Sequence, residues 1–304
     1  MASFFNLHYG LFFKYPRRVA KHLLSFFYPL VIKIFPLPKV KSVPETIEYI
    51  INKKASIARF GDSEMLYIAN KLSLPYQSYN IRLASILNEI LKSEEADFLV
   101  GLPDAYYDLS TMEKQIQTFW RGQIVLTYPS IKNLFLKDKQ YYNANISRLY
   151  YGMIDKKQST RNFENVKLIW DKRNVIIIEG EKSRLGVGND LFSNTFSVKR
   201  ILGPYHNAFD VFDDLIMEAL KFDNNNLFLV AMGPTAKAIC YYLHKNGFQA
   251  VDIGNIDLEY EWYLRGVKER IIIPGKYVSE VKGGRIVEDV LDPLYESQII
   301  AKII

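Results

Sequence analysis

A short run of β-branched residues constrains the fold of this chain more than any other feature. Residues 175–178 are one valine and three isoleucines, between Asn174 and Glu179. A fully apolar run of this length is typical of a strand that is buried on both faces, as in a parallel sheet covered by helices. Residues 227–232 and 250–253 form two further apolar runs of the same kind. We therefore predict three buried strands in the C-terminal half.

The segments between these runs have helical periodicity. Residues 208–221 place apolar side chains on one helical face, and a second helix begins at Gly233-Pro234-Thr235 and ends before Gly247. Strand, helix and strand at this spacing form a βαβ unit, whose two strands are parallel. The chain is therefore predicted to be of the α/β class, with a Rossmann-like, mainly parallel sheet flanked by helices.

The rest of the chain gives a less regular pattern. We predict strands at residues 55–60 and 97–102. We also predict one helix that begins at Pro44 and another that spans residues 83–91. Residues 104–167 mix aromatic and polar side chains, and their order of elements stays unassigned.

Two further segments receive weaker assignments. A turn over residues 180–188 is expected to lead into a short helix. The last residues, 278–304, indicate an appended hairpin or helix.

The first 41 residues differ from the rest of the chain in charge. The whole chain has 39 basic and 33 acidic residues, and this segment has seven basic and no acidic ones, which leaves 32 basic against 33 acidic residues elsewhere. Its longest run without a charged residue or histidine, residues 23–32, is too short for a membrane span of roughly 20 residues. Basic and bulky apolar side chains together favour a helical extension on an anionic membrane surface. The alternative is an arm packed on the domain or on a second subunit. The seven basic residues are Lys14, Arg17, Arg18, Lys21, Lys33, Lys39 and Lys41.

Composition argues against several classes of protein. The near-neutral main body gives no electrostatic reason to expect nucleic-acid binding. A single cysteine, Cys240, excludes an internal disulfide framework and fits a reducing cytoplasm. The four histidines have no metal-ligand spacing, and no Ser-His-Asp order is visible, which disfavours common hydrolases.

Polar residues follow several of the predicted strands, where open α/β sheets bind ligands. Asp62 and Glu64 stand one residue apart after Gly61, so the two carboxylates point the same way if the chain is still extended there. Such a pair supplies oxygen ligands to Mg²⁺ or Mn²⁺ beside a diphosphate. The alternative is that Asp62 only caps the following helix and that Glu64 favours its dipole.

Other strand ends carry weaker candidates. The start of the helix at Gly233, Pro234 and Thr235 could bind a phosphate through free N–H groups. Glu179 or Glu181 could serve as a general base, and Asp252 could accept a hydrogen bond from a sugar hydroxyl. Asp257 belongs to an acidic segment that alternates with apolar residues; it is a candidate to line the site and bind substrate, and a solvated helix face is the default alternative. A glycine-bearing loop able to wrap a phosphate or a sugar contains Arg184, Gly186, Gly188, Asn189 and Asp190.

Several blocks in order resemble the GT-D-type glycosyltransferases, a family first catalogued as a domain of unknown function. Residues 58–64, Ala-Arg-Phe-Gly-Asp-Ser-Glu, are similar to the family signature R-F-G-D-G-E, with Ser63 at the position of the usual glycine. Asn255 stands where such sequences often have histidine, which puts an acid–base role of that position in doubt. The likeness covers about residues 43–266 and continues through residues 179–192, 207–210, 233–236 and 252–262.

The resemblance implies a nucleotide-sugar donor and a divalent cation, Mn²⁺ or Mg²⁺, held by Asp62 and Glu64. We therefore expect transfer of a sugar, from a UDP-sugar in the simplest case, to a hydroxyl of a bacterial surface glycan, glycolipid or glycoprotein. Arg59 and Arg184 would offset the charge of the diphosphate. The acceptor would be activated by Glu179, Glu181 or Asp252.

We expect three parts: an extension at residues 1–42, the GT-D-type domain at 43–270, and an appendage at 271–304. The extension would hold a cytoplasmic protein at the inner face of the cell membrane. The oligomeric state stays open, homo-oligomers included. Two alternatives remain: a phosphotransferase or nucleotidyltransferase, and a non-catalytic nucleotide-sugar-binding or scaffold protein.

Overall fold

The fold is built around one nine-stranded sheet. The computed structural model describes residues 14–304, and residues 1–13 of the predicted extension lie outside the described part. Within the sheet every recorded strand pair is parallel, and the order is β1-β4-β3-β2-β8-β7-β5-β6-β9. The strands are β1 (Lys39–Val40), β2 (Ser56–Arg59), β3 (Phe98–Leu102), β4 (Gln140–Asn143), β5 (Asn174–Gly180), β6 (Ser197–Gly203), β7 (Leu227–Ala231), β8 (Gln249–Asp252) and β9 (Ile299–Lys302).

Helices cover both faces of this sheet. One face carries α5, α6, α8 and α9, and the other carries α3, α7 and α10. The helices are α1 (Lys14–Leu24), α2 (Tyr28–Ile34), α3 (Val43–Lys53), α4 (Asp62–Asn70), α5 (Ile81–Lys92), α6 (Lys114–Ile131), α7 (Lys156–Lys167), α8 (Phe212–Ala219), α9 (Thr235–Lys245), α10 (Ile256–Leu264) and α11 (Pro293–Gln298).

The apolar run that led the sequence interpretation lies in the middle of the C-terminal half of the sheet. In β5, Ile176 and Ile178 pack into the core on one face, while Val175 and Ile177 pack into the core on the other. Successive side chains of a strand point to opposite faces, so both faces of β5 need a helical layer. The predicted Rossmann-like parallel sheet is confirmed.

The five predicted strands correspond to β2, β3, β5, β7 and β8. Four strands were missed. β6 has two basic residues, Lys199 and Arg200, inside a short run, and Arg200 is buried only because Glu179 of β5 accepts its hydrogen bond. The short helix predicted after residue 188 is wrong: turns continue to Thr195 and lead directly into β6.

The N-terminal extension is helical from Lys14 to Ile34 and packs on α6. The predicted alternative of an arm packed on the domain therefore applies to its described part. Among residues 14–304, no helix is long and apolar enough to cross a bilayer.

The C-terminal segment contributes to the sheet. Instead of a hairpin, it forms α11 and the edge strand β9, which runs parallel to β6. Upstream of α11, residues 273–290 lie across the sheet's carboxyl edge and are fixed by hydrogen bonds from Arg184 to Gly275 and Glu288.

Candidate active site

The candidate site lies where β2 and β8 separate at the centre of the sheet. The two strands pair at one position, where Ile57 lies opposite Val251. Beyond it, the backbone N–H of Arg59 donates to the side-chain carboxylate of Asp252 (3.2 Å). Open α/β sheets bind ligands in a crevice beyond the carboxyl ends of their strands. A cavity of about 340 Å³, lined by both residues, lies at this point.

Arg59 is held rigidly in the wall of this cavity. Its Nε donates to the carbonyl of Asp252 (2.5 Å), and one terminal nitrogen pairs with the Asp252 carboxylate (3.0 Å). Its other terminal nitrogen donates to Ala144 and to Ser147. Gly254, which has a positive φ of 40°, lies against the guanidinium, where a β-carbon would overlap it. Arg59 is therefore preorganised, with no rotamer freedom to lose when an anion binds.

Lys237, which the sequence interpretation missed, is the second buried cation of the cavity. Its ammonium lies 3.2 Å from Glu64 and 3.3 Å from Asp252, and it donates to the carbonyl of Gly233 (3.1 Å). Burial lowers the pKa of Lys237, but the two carboxylates outweigh burial and raise it above its ordinary value. We call Arg59, Glu64, Lys237 and Asp252 the charged cluster.

The two carboxylates of the charged cluster are ionised. Burial raises the pKa of Asp252, but Arg59 and Lys237 outweigh it and hold the pKa below its ordinary value. The pKa of Glu64 is likewise lowered, because Lys237 and several hydrogen bonds outweigh the effect of burial. The cluster therefore carries two positive and two negative charges at neutral pH.

Glu64 also caps the helix on which it stands. α4 follows the N-cap residue Gly61, whose N–H donates to Glu64 Oε2 (3.0 Å), and the Ser63 hydroxyl donates to the same oxygen (3.0 Å). This is the reciprocal half of a capping box. The capping alternative from the sequence therefore applies to Glu64, in addition to its contact with Lys237.

Asp62 faces away from the cavity lining, towards α6. Its carboxylate accepts a hydrogen bond from Gln123 Nε2 (2.6 Å). Burial, and then the Glu64 carboxylate, raise the pKa of Asp62 above its ordinary value. The other amide atom, Gln123 Oε1, is buried and has no hydrogen-bond partner among the described residues. Asp62, Glu64 and Gln123 thus form an oxygen-rich group, in which Lys21 opposes the rise in the pKa of Asp62 and Lys237 pairs with Glu64.

The cavity lining also contains a carboxylate that the sequence interpretation missed. Glu280 accepts hydrogen bonds from Asn255 (2.7 Å) and Arg148 (3.0 Å) on one oxygen, and the Ser279 hydroxyl donates to the other (3.2 Å). Burial raises the pKa of Glu280, but Arg148 outweighs it and keeps the pKa below its ordinary value. No local sequence pattern marks Glu280, because its partners come from two distant segments.

Three tyrosines complete the lining. Tyr205 and Tyr277 lie with ring centroids 5.7 Å apart, and Tyr76 packs beside Gly233. Aromatic faces of this kind suit the apolar faces of sugars and bases. The cavity therefore combines the charged cluster with aromatic faces.

The glycine-bearing loop is mostly used inside the protein. Asp257 accepts hydrogen bonds from the N–H of Gly186 and from Asn189, each at 2.8 Å. Asp190 is bound by Lys167 (3.0 Å) and by the hydroxyl of Tyr260 (2.7 Å). Arg184 holds the crossing segment of residues 273–290. The loop thus braces α10 and this segment.

Glu179 and Glu181 also lie outside the cavity lining. Glu179 is fully buried, pairs with Arg200 (2.5 Å) and accepts from the N–H of Leu185 (2.8 Å). Glu181 is partly exposed, and its N–H donates to the carbonyl of Gly203. Neither carboxylate reaches the cavity in this conformation.

The acidic segment of α10 differs from its default interpretation. Asp257, Glu259 and Glu261 are buried, not solvated. Lys276 pairs with Asp257 (2.6 Å) and Glu261 (3.3 Å). The prediction of a solvated helix face was therefore wrong. The segment alone gives no sign of burial, because the lysine that compensates the charge of Asp257 and Glu261 comes from a later part of the chain.

The cavity brings together a minority of the residues that the sequence singled out. It is lined by Arg59, Glu64, Gly233, Asp252 and Asp257. Thr235 is buried beside Gln77, at the start of α9. Outside the lining lie Gly61, Asp62, Glu179, Glu181, Arg184, Gly186, Gly188, Asn189, Asp190, Pro234 and Thr235.

The donor atoms near Asp62 fit a shared cation better than a cation held by protein alone. Within residues 14–304, no group of three or more His, Cys, Asp or Glu side chains could hold a metal ion. Mg²⁺ typically uses one or two carboxylates together with substrate phosphates and water. Asp62 and Glu64 are two such carboxylates, and Gln123 Oε1 is an unpartnered oxygen beside them, while Asp62 itself lies outside the cavity lining.

Comparisons with known proteins agree with this architecture. The family model described as glycosyltransferase GT-D fold matches residues 57–281. Glycosyltransferase GlyD of Streptococcus pneumoniae serotype 4 (strain ATCC BAA-334 / TIGR4) is 38% identical over 267 residues, which are 88% of this chain and 33% of that protein. The probable glycosyl transferase Gly of Streptococcus gordonii is 35% identical over 266 residues, or 87% of this chain and 39% of that protein. This chain thus spans between a third and two fifths of these relatives.

Solved structures are similar as well. One, described as a highly conserved domain of unknown function 1792 with a distinct glycosyltransferase fold, has a TM-score of 0.83 and 34% identity, and covers 94% of this chain and 99% of that chain. Another, described as a new glycosyltransferase (DUF1792) from Streptococcus sanguinis, has the same TM-score and identity and covers 88% of this chain and 100% of that chain.

Proposed function

Because the chain belongs to the family of glycosyltransferases with the GT-D fold, we propose that it moves a sugar from a nucleotide diphosphate to an acceptor hydroxyl. The donor is a UDP-sugar in the simplest case, and the acceptor is a bacterial surface glycan, glycolipid or glycoprotein. The reaction depends on Mn²⁺ or Mg²⁺. The observation that carries this proposal is the charged cluster, which lies at one end of a cavity beyond the central strands.

The two buried cations of the charged cluster suit a diphosphate. Arg59 and Lys237 are fixed by Asp252 and Glu64 before any ligand binds, so their charges need no reorganisation during the reaction. In a site shielded from water, such charges act more strongly on a developing negative charge than they would in solution. Arg59 and Lys237 would thus bind the diphosphate and stabilise its departure.

The cation would be held by Asp62 and Glu64, with Gln123 Oε1 as an additional oxygen. When bound, it would supply positive charge that offsets the charge of the leaving diphosphate. Burial, and then the Glu64 carboxylate, raise the pKa of Asp62, so a nearby cation would favour its ionised form. Glu64 would keep its contact with Lys237 through Oε1.

Acceptor activation falls best to Glu280. It lines the cavity, is ionised because Arg148 is near, and is oriented by Asn255. Asp252 also lines the cavity, but both of its oxygens are engaged by Arg59 and Lys237. Glu280 Oε2 would take the proton of the acceptor hydroxyl. The acceptor oxygen would at the same time attack the anomeric carbon of the sugar, and the nucleoside diphosphate would leave. Asp252 would then position the two cations.

A test compares the double variant Asp62→Ala/Glu64→Ala with the matched control Glu94→Ala/Glu95→Ala, whose carboxylates are exposed on the surface. Nucleoside diphosphate release from UDP-sugars is measured with Mn²⁺. We expect the control to match the wild type, and the double variant to lose at least about a hundredfold in rate. Equal rates in both folded variants would remove the proposed mechanism.

Product analysis separates the alternatives. A sugar transferase releases nucleoside diphosphate. A nucleotidyltransferase releases pyrophosphate from a nucleoside triphosphate, and a phosphotransferase that moves a sugar phosphate releases nucleoside monophosphate. Donor binding without turnover across a panel of acceptors would instead favour a binding or scaffold protein. Family membership supports transfer.

The proposal also places the protein in the cytoplasm, peripheral to the inner face of the membrane, where lipid-linked acceptors are available. The seven basic and no acidic residues in residues 1–41 support this placement. The predicted division at residues 42 and 270 stays a prediction. Co-sedimentation of the full chain with anionic vesicles tests the membrane association.

A further inference from the structure

The N-terminal arm exposes a continuous row of large apolar side chains. Helices α1 and α2 are joined by a single 3₁₀ turn and expose six such residues, spaced by three or four positions except for the adjacent pair Phe26 and Phe27. Residues at this spacing lie on one side of a helix. Each is between 56% and 73% exposed. We call this row the apolar stripe: Val19, Leu23, Phe26, Phe27, Leu30 and Ile34.

The other side of the arm is fixed on the domain. Tyr28, Ile32 and Phe35 pack against the core. The backbone of Lys21 lies so close to Gly122 of α6 that a β-carbon at that glycine would overlap the Lys21 carbonyl. The arm therefore cannot rotate to bury the apolar stripe without losing this packing, and the stripe stays directed outward.

Charge selects the kind of surface that the apolar stripe fits. The segment to which it belongs, residues 1–41, has seven basic and no acidic residues. An anionic bilayer complements both the charge and the apolar side chains. A symmetric contact with a second copy would bring two segments of net positive charge together, which Coulomb repulsion disfavours.

We propose that the apolar stripe is the docking face of this protein for an anionic membrane surface, with its six side chains inserted among the lipid headgroups. This inference rests on the proposed membrane association and names the surface responsible. It also orients the site. The arm packs on α6 at Gly122, and the adjacent Gln123 binds Asp62, so the docked arm holds the acidic pair's side of the molecule near the bilayer. A lipid-linked acceptor fits that orientation.

The experiment uses the full chain and vesicles of phosphatidylcholine, with or without phosphatidylglycerol. The test variant is Phe26→Ser/Leu30→Ser. The matched control, Phe196→Ser/Ile286→Ser, removes one aromatic and one aliphatic side chain of similar exposure elsewhere on the surface. Thermal unfolding of all three proteins verifies that they are folded. Light scattering gives their oligomeric state.

We expect the wild type and the control to bind the anionic vesicles equally, and the stripe variant to bind at least about tenfold more weakly. Binding to pure phosphatidylcholine should be weaker for all three. Equal binding by the stripe variant and the control would overturn the assignment of the stripe and leave membrane association standing. No vesicle binding by the wild type would overturn both the assignment of the stripe and the membrane association. A dimer that forms in the wild type and the control but not in the stripe variant would assign the stripe to a second copy.

Discussion

Residues 59–64, at the end of β2, and the glycine-bearing loop of residues 180–190 have similar sequences but different roles. Both come at the end of apolar strands, and both combine glycine with acidic and basic residues. In the first segment, Arg59 and Glu64 belong to the charged cluster and line the cavity. In the loop, Arg184 and Asp190 are bound to other parts of the chain. Polar residues at strand ends therefore mark a candidate region, and only their partners show which of them face a ligand.

The largest expected effect distinguishes two buried lysines. Lys237 and Lys276 are equally buried, and each pairs with two carboxylates. Because each replacement leaves uncompensated buried charges, Lys237→Met and Lys276→Met should each lower the free energy of unfolding by about 3–5 kcal/mol. Lys237→Met should also lower kcat/KM by about a hundredfold, and Lys276→Met by much less. Urea unfolding and initial rates check this, and equal activity losses would contradict the distinction.

A second comparison concerns two glutamates. Glu280→Gln should lower kcat by about a hundredfold, because the acceptor loses its base, while donor binding is kept. Glu181→Gln, in the loop, should leave kcat close to that of the wild type. Calorimetric titration with UDP separates binding from turnover. A larger loss for Glu181→Gln would return the role of base to the loop.

Two arginines give a smaller expected effect. Arg59→Lys loses the paired contact with Asp252, so kcat/KM should fall by about tenfold. Arg184→Lys should leave kcat/KM within about threefold of the wild type, and should make residues 273–290 easier to cleave by protease, because Arg184 holds that segment. Loss of activity without faster cleavage in Arg184→Lys would place that arginine at the substrate instead.

The smallest expected effect is on stability and depends on pH. The pKa of Asp62 is raised, first by burial and then by Glu64, so its contribution to stability is present below the ordinary aspartate pKa and is lost as pH rises. Asp62→Asn should therefore raise the melting temperature at neutral pH. The pKa of Asp190 is lowered by Tyr260 and Lys167, so that contribution is present at neutral pH and lost in acid.

The control for that measurement is Asp190→Asn, which should lower the melting temperature slightly at neutral pH and have no effect in acid. Melting curves across the acid range follow both variants. A lower melting temperature for Asp62→Asn at neutral pH would show that the protein stabilises the ionised carboxylate of Asp62, contrary to its raised pKa.

The sequence predicted the parts of the fold whose signal is local. Runs such as residues 175–178 need no partner to be recognised as buried strands, and the signature at residues 58–64 resembled the correct family. β6 was missed because its buried arginine is compensated by a glutamate of another strand. Its burial therefore has no signal in its own segment.

The site was predicted less completely for the same reason. Lys237 pairs with residues 173 positions earlier and 15 positions later in the chain, and Glu280 with residues 132 and 25 positions earlier. Such contacts exist only after the sheet has formed. Asp257 likewise seemed solvated until Lys276 was placed beside it. One local signal was available for Lys237. It is a lysine within the apolar start of a helix, shortly after a strand and a glycine.

The most direct test is a crystal structure of the chain with UDP and Mn²⁺. The account predicts the diphosphate within hydrogen-bond distance of Arg59 or Lys237, with the metal ion in contact with Asp62 or Glu64. Phosphates bound by Arg184 and the glycine-bearing loop, with the charged cluster unchanged and the metal ion elsewhere, would contradict it.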